Sequence, residues 1–157
     1  MRKPWLLMID DCPGDALLMR LAFRRNHIDL EFEPAASAEA GLARLVDCVR
    51  LNRPLPDLVL CDLNLPQMHG LDLLTILKSD QDLRKVPVII CSSSRATTDI
   101  EGSLAGKADG YITKPMGVEA YDAMVMALVD TWLGESIAEI PGSAYNGQGE
   151  KIWRLMA

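Results

Sequence analysis

The sequence predicts an α/β fold: a doubly wound, parallel five-stranded sheet in a (βα)5 chain with a C-terminal extension. Three observations predict it. Short apolar runs alternate five times with helix-patterned segments along the 157 residues. The central runs, Leu58 to Cys61 and Val88 to Cys91, are continuously apolar, as expected where helices cover both faces of a parallel sheet. Reactive polar residues close several runs, and ligands of such sheets gather outside the strands' carboxyl ends.

The first strand is Trp5 to Ile9, ending at Asp10-Asp11. Pro13 suits the first turn of a helix whose apolar face is Leu17, Leu18, Leu21 and Ala22. Leu30 and Phe32 alternate with Glu31 and Glu33, the pattern of a half-exposed edge strand. Ser37 can cap a second helix with the stripe Leu42, Leu45, Val46 and Val49. Asn52-Arg53-Pro54-Leu55-Pro56 breaks the chain before the third strand, Leu58 to Cys61. Leu73, Leu74 and Leu77 mark a short helix after Gly70. Thr98 and Glu101 form a capping box opening a fourth helix, which Gly102 and Gly106 weaken. Tyr111 to Thr113 is the fifth strand and Val118 to Leu133 the last helix.

Composition narrows the function classes. Hydrophobic residues make up 49% and charged residues 24%, and the net charge is −6. That describes a globular domain with no basic track for nucleic acid; Arg24-Arg25 fits an exposed helix face. No apolar stretch approaches the roughly 20 residues that span a bilayer. The start, MRKPWLLMIDD, reaches two aspartates too soon for a signal peptide. Cys12, Cys48, Cys61 and Cys91 lack C-x-x-C spacing and are read as reduced thiols of a cytoplasmic protein.

The chemistry lies at the strand ends. Asp10, Asp11 and Asp62 share one edge with Ser92 and Lys114 if the sheet is parallel. Three nearby carboxylates repel one another, and a divalent cation removes the conflict. Oxygen ligands without His or Cys point to Mg²⁺ rather than zinc. One metal, one lysine, one hydroxyl and a free carboxylate suit phosphoryl transfer, with Asp62 as nucleophile. Taken singly, each residue has a plainer account: an Asp after a strand is commonly a turn or helix cap, and Lys-Pro is commonly a loop. Their joint placement is what those accounts leave unexplained.

The motifs MIDDCPGD, LPDLVLCDLNLPQMHGLDLL, VPVIICSS and GYITKPM resemble the receiver domain of two-component response regulators, over about Trp5 to Leu133. The segment DLNLPQMHGLDLLTILKSD is similar to stand-alone regulators that serve bacterial phytochrome-type kinases. The resemblance implies a flavodoxin-like fold with strand order 2-1-3-4-5. It implies that Asp62 is the phosphoacceptor, that Asp11 binds Mg²⁺ directly and Asp10 mainly through water, and that the Asn64 carbonyl completes the metal site. It assigns Ser92 and Lys114 to the phosphoryl oxygens and Tyr111 to the switch, and implies a cis peptide bond between Lys114 and Pro115. The phosphoryl donor would be a histidine kinase. The chain departs from the family at Cys12, His69, Met116 and Ser93.

Two rival readings are a Mg²⁺-dependent phosphohydrolase with an aspartyl nucleophile and an adaptor that is never phosphorylated. The first usually places Asp-x-Asp after the first strand; here Asp62-Leu63-Asn64 follows the third. The intact acidic pair, Asp62, Ser92 and Lys114 argue against the second. On the receiver reading the protein is not an enzyme beyond its own phosphorylation and dephosphorylation, and binds neither nucleic acid nor membrane.

Residues 1–135 form the receiver on this reading, and 136–157 a partly flexible extension. In the last helix Val118, Tyr121, Val125, Leu128 and Trp132 form a stripe against the sheet. Met124, Met126, Val129 and Leu133 are left over, and the tail adds Ile137, Ile140, Tyr145 and Trp153. Apolar residues in excess of one stripe predict a homodimer, with Met124, Val129, Trp132 and Leu133 as dimer or partner surface.

Overall fold

In the computed structural model, which describes residues 2–133, five parallel strands lie in the order β2-β1-β3-β4-β5. They are β1 (Trp5–Ile9), β2 (Glu31–Ala35), β3 (Leu58–Cys61), β4 (Val88–Ser92) and β5 (Gly110–Thr113). The helices between and after them are α1 (Pro13–Arg25), α2 (Ala38–Arg50), α3 (Gly70–Ser79), α4 (Thr97–Ala105) and α5 (Val118–Leu128). This is the flavodoxin-like arrangement expected. The extension 136–157 lies outside the described residues.

Alternation along the strands divides the core in two. Leu6, Met8, Leu58 and Leu60 pack with α1 and α5; Leu7, Ile9, Val59 and Cys61 pack with α2 and α3. Both faces of the central strands are therefore dry, which is why their sequences show no polar alternation. All four cysteines are free thiols: Cys48, Cys61 and Cys91 are buried, and Cys12 is exposed. Burial pushes the Cys91 thiol up to about 12 and raises Cys61 as well. No helix among the described residues is long and apolar enough to cross a membrane.

The helices are where the structure corrects the sequence. In α1 the buried residues are Met19, Ala22 and Phe23, while Leu17 and Leu21 are exposed. Asp15 shares the face of Met19 and Ala22, and its pairing with Lys114 fixes this phase. In α2 the buried face is Ala38, Gly41, Leu45 and Cys48, leaving Val46 and Val49 exposed. Small residues face inward there because the helix lies close on the Ile9 side chain. Ser37 does cap α2, accepting from the Ala40 N–H at 3.1 Å. Helix α4 begins one residue before the expected box, with Ala96 at its cap and no side-chain cap bond.

The end of the chain brings the largest correction. Met124, Val129 and Leu133 are at most 1% exposed, and Trp132 is half-buried against the same core. Met124, Val129 and Leu133 are interior residues of the protomer, not a free dimer face. Helix α5 is covered both by the sheet and by α1, so its buried arc is wider than one stripe. A π-helical turn, Val129–Leu133, then adds a residue to the last turn and keeps Val129 and Leu133 inward. Val118, expected inside, is half exposed.

Candidate functional site

Parallel register carries five strand ends to one edge. Asp10 follows β1 and Asp62 follows β3, and both are buried although charged. Asp11 beside them is exposed. Carboxylate oxygens of Asp10, Asp11 and Asp62 all lie within 4.8 Å of one another. Lys114, after β5, reaches across with Nζ 2.9 Å from Asp10 Oδ2 and 3.0 Å from Asp62 Oδ2.

Lys114 also lies 2.7 Å from Asp15 Oδ2, a contact missed in the sequence. Asp15 sits in the first turn of α1, where Pro13 at the helix start turns it towards the strand ends. That placement was the available signal. Burial alone would lower the Lys114 pKa, but its pairing with the Asp15, Asp10 and Asp62 carboxylates, which accept from the ammonium, raises it above the ordinary lysine value. Asp10 is shifted up, chiefly by burial, against the opposing pull of Lys114 and the Cys12 N–H, which donates to Asp10 Oδ1 at 2.9 Å.

The loop after Asp62 is held at several points. The Asn64 N–H lies 3.4 Å from Asp62 Oδ1, a long contact, and the Gly70 N–H donates to the Leu63 carbonyl at 2.8 Å. A Cβ at Gly70 would collide with the Asp62 carbonyl oxygen and lie 2.8 Å from Leu63 Cα, so only glycine lets α3 start so close to the strand end. His69 caps α3, Nδ1 accepting from the Leu71 N–H at 3.2 Å. The imidazole thus supplies the acceptor that an aspartate would have given. From α2, Glu39 Oε1 accepts from the Met68 N–H at 3.0 Å, a second contact the sequence reading missed. With Cys12 at its N-cap, α1 starts without a side-chain cap.

Ser92 and Tyr111 are both buried. Ser92 Oγ accepts from the Ser94 N–H at 3.2 Å, and the Tyr111 hydroxyl donates to the Ser94 carbonyl at 2.7 Å. The Tyr111 ring lies inside the fold. Ser94 Oγ in turn bonds Asp99 of α4.

The Lys114–Pro115 bond is trans, contrary to the cis bond expected, and no described residue follows a cis peptide. The trans isomer is the lower in energy by about 0.5–1 kcal/mol. Here the Lys114 N–H donates to the Ser92 carbonyl at 2.8 Å, and Nζ reaches Asp10, Asp15 and Asp62.

The all-oxygen donor set fits a hard divalent cation, with exposed Asp11 leaving one side open to water. The model of the response regulator receiver domain matches residues 6–126. The chain belongs to that family. This receiver is 29% identical to the response regulator Rcp1 of Synechocystis sp. over 129 residues, 82% of this chain and 88% of Rcp1. It is equally similar, at 29% over 133 residues, to a probable methanogenesis regulatory protein, FilR2, of Methanothrix harundinacea, covering 82% and 83% of the two chains. Among solved structures it resembles the Mn²⁺-bound form of Rcp1, with TM-score 0.73, 27% identity and coverage of 90% and 100%. The phosphorylated cyanobacterial phytochrome response regulator RcpA gives TM-score 0.77 at the same identity and coverage. This receiver is therefore a signalling module whose acidic cluster is able to coordinate a divalent metal.

Proposed function

We propose that Asp62 accepts a phosphoryl group from the phosphohistidine of a histidine kinase. An Asp62 oxygen attacks phosphorus, the P–N bond breaks and the imidazole leaves. Asp10, Asp11, Asp62 and the Asn64 backbone carbonyl would hold Mg²⁺, which when bound neutralises charge on the phosphoryl oxygens. Lys114 supplies a second positive charge, and Ser92 a hydroxyl for a phosphoryl oxygen. The observation that carries this reading is the meeting of three carboxylates within 4.8 Å, with Lys114 Nζ 3.0 Å from Asp62.

Incubation with Mg²⁺ and a small phosphodonor such as acetyl phosphate tests it. Intact-mass measurement should show one added phosphoryl group in the wild type and none in Asp62→Asn. Full labelling of Asp62→Asn would refute the assignment.

The finer partner assignments rest on likeness and on sequence. The cognate kinase is of phytochrome type on this proposal, supported by the phytochrome regulator RcpA and by the red-light regulator RPA3017 of R. palustris, at 25% identity and TM-score 0.76 over 89% of this chain and 99% of that one. Phosphotransfer from a purified phytochrome-type kinase, faster than from an unrelated histidine kinase, is the expected result. Self-association is proposed on the apolar content of the tail alone, because Met124, Val129 and Leu133 belong to the core. Sedimentation of the full chain against one ending at Leu133 decides it: a full-length monomer at micromolar concentration excludes the dimer.

The signal would leave through α4, β5 and α5. Ser103 is the one residue of α4 that is fully buried. Such a lightly packed element suits a two-state surface for a protein partner or a phosphorelay.

A further inference from the structure

Asp10, Asp15 and Asp62 surround one ammonium at the strand ends, and Asp11 stands beside Asp10 and Asp62 as a fourth carboxylate of the site. The Lys114 ammonium has three N–H donors. It donates to Asp15 at 2.7 Å and to Asp62 at 3.0 Å, and it is ion-paired with Asp10 at 2.9 Å. A phosphoryl oxygen must compete with these carboxylates for the ammonium.

The competitors are not alike. Asp62 surrenders an oxygen to the new O–P bond, and Asp10 faces the metal cluster. Asp15 belongs to neither group, yet it makes the shortest contact to Lys114 and is held in place by α1, with the buried Tyr121 hydroxyl 3.4 Å from its other oxygen. We propose that Asp15 sets the balance between the metal-loaded and the phosphorylated states by holding Lys114 and adding a fourth negative charge. The inference rests on the receiver reading above.

The charge count gives opposite effects on the two ligands. With a divalent cation bound, four carboxylates and one ammonium leave the site at a net charge of minus one. Removing the Asp15 charge makes it neutral, so the cation loses attraction while an anionic phosphoryl group loses repulsion and meets a Lys114 that is held less tightly. A residue that only supported the fold would weaken both.

The test uses Asp15→Asn, which keeps the shape and one acceptor oxygen. Calorimetric titration with Mg²⁺ alone should show affinity weakened about three- to tenfold, the scale of one partly solvated charge. Titration with beryllofluoride at saturating Mg²⁺ should show affinity increased by a similar factor. Asp122→Asn, the same charge change at the Arg25 pair on α5, should leave both unchanged. Unchanged or weaker beryllofluoride binding by Asp15→Asn, beside normal wild-type binding, overturns the role of Asp15. No beryllofluoride binding by the wild type overturns the phosphoacceptor role proposed for Asp62, and this inference with it.

Discussion

The Tyr111 hydroxyl donates a 2.7 Å hydrogen bond to the carbonyl oxygen of Ser94, tying β5 to the first turn of chain after β4. Ser94 is also bonded to Asp99 of α4 and to Ser92 Oγ, so one residue links the buried serine at the site to the lightly packed α4.

Tyr111→Phe removes that tie and keeps the ring. The variant should lose about 1 kcal/mol of stability, the usual worth of one hydrogen bond. Amide exchange at Ser94 and Ala96 should accelerate while β1 and β3 stay protected. Unchanged exchange after β4 would show that the hydroxyl does not restrain the loop.

Asp10 should make stability depend on pH. Burial raises its pKa above the unfolded value, so the folded chain holds the proton more tightly than the unfolded one. Its contribution is fully present below the unfolded pKa of about 3.9 and is lost as pH rises through the folded value. At neutral pH, ionised Asp10 therefore costs stability. Asp10→Asn should stabilise the metal-free protein at pH 7 by about 1 kcal/mol, with the gain vanishing near pH 4. Added Mg²⁺ should stabilise the wild type more than the variant. Chemical denaturation in chelator across that pH range checks it, and a destabilised variant at pH 7 would contradict it.

Glu39 reaches from α2 to the Met68 N–H and restrains the loop that carries Asn64. Glu39→Ala should weaken Mg²⁺ binding several-fold, in line with a charge-assisted hydrogen bond of about 1.5–3 kcal/mol, part of which reaches the site. Glu39→Gln keeps an acceptor and should restore most of the affinity. Calorimetry on both variants is the measurement, and an alanine variant that binds Mg²⁺ like the wild type would rule the restraint out.

Sequence made the strands and their ends readable because continuous apolar runs stop at charged residues. Leu58 to Cys61 ending on Asp62 is the plainest case. Helix faces were less readable, because an apolar side chain on a short helix does not say which of several stripes faces the sheet. Leu17, Val46 and Val49 kept the right composition on the wrong side. The end of α5 misled for a related reason: a π turn changes the period on which stripe counting depends. Asp15 and Glu39 escaped notice because their partners, Lys114 and Met68, are distant in sequence.

The unequal placement of the cysteines has a practical consequence. A maleimide dye added to the native protein should couple to Cys12 alone, since the other three thiols are out of reach and two of them resist ionisation. The label would sit next to Asp11 without any engineering, where its emission can follow occupancy of the acidic cluster in real time. Cys48, Cys61 and Cys91 would react only as the core opens, so the slow phase of alkylation becomes a clock for unfolding in the same tube.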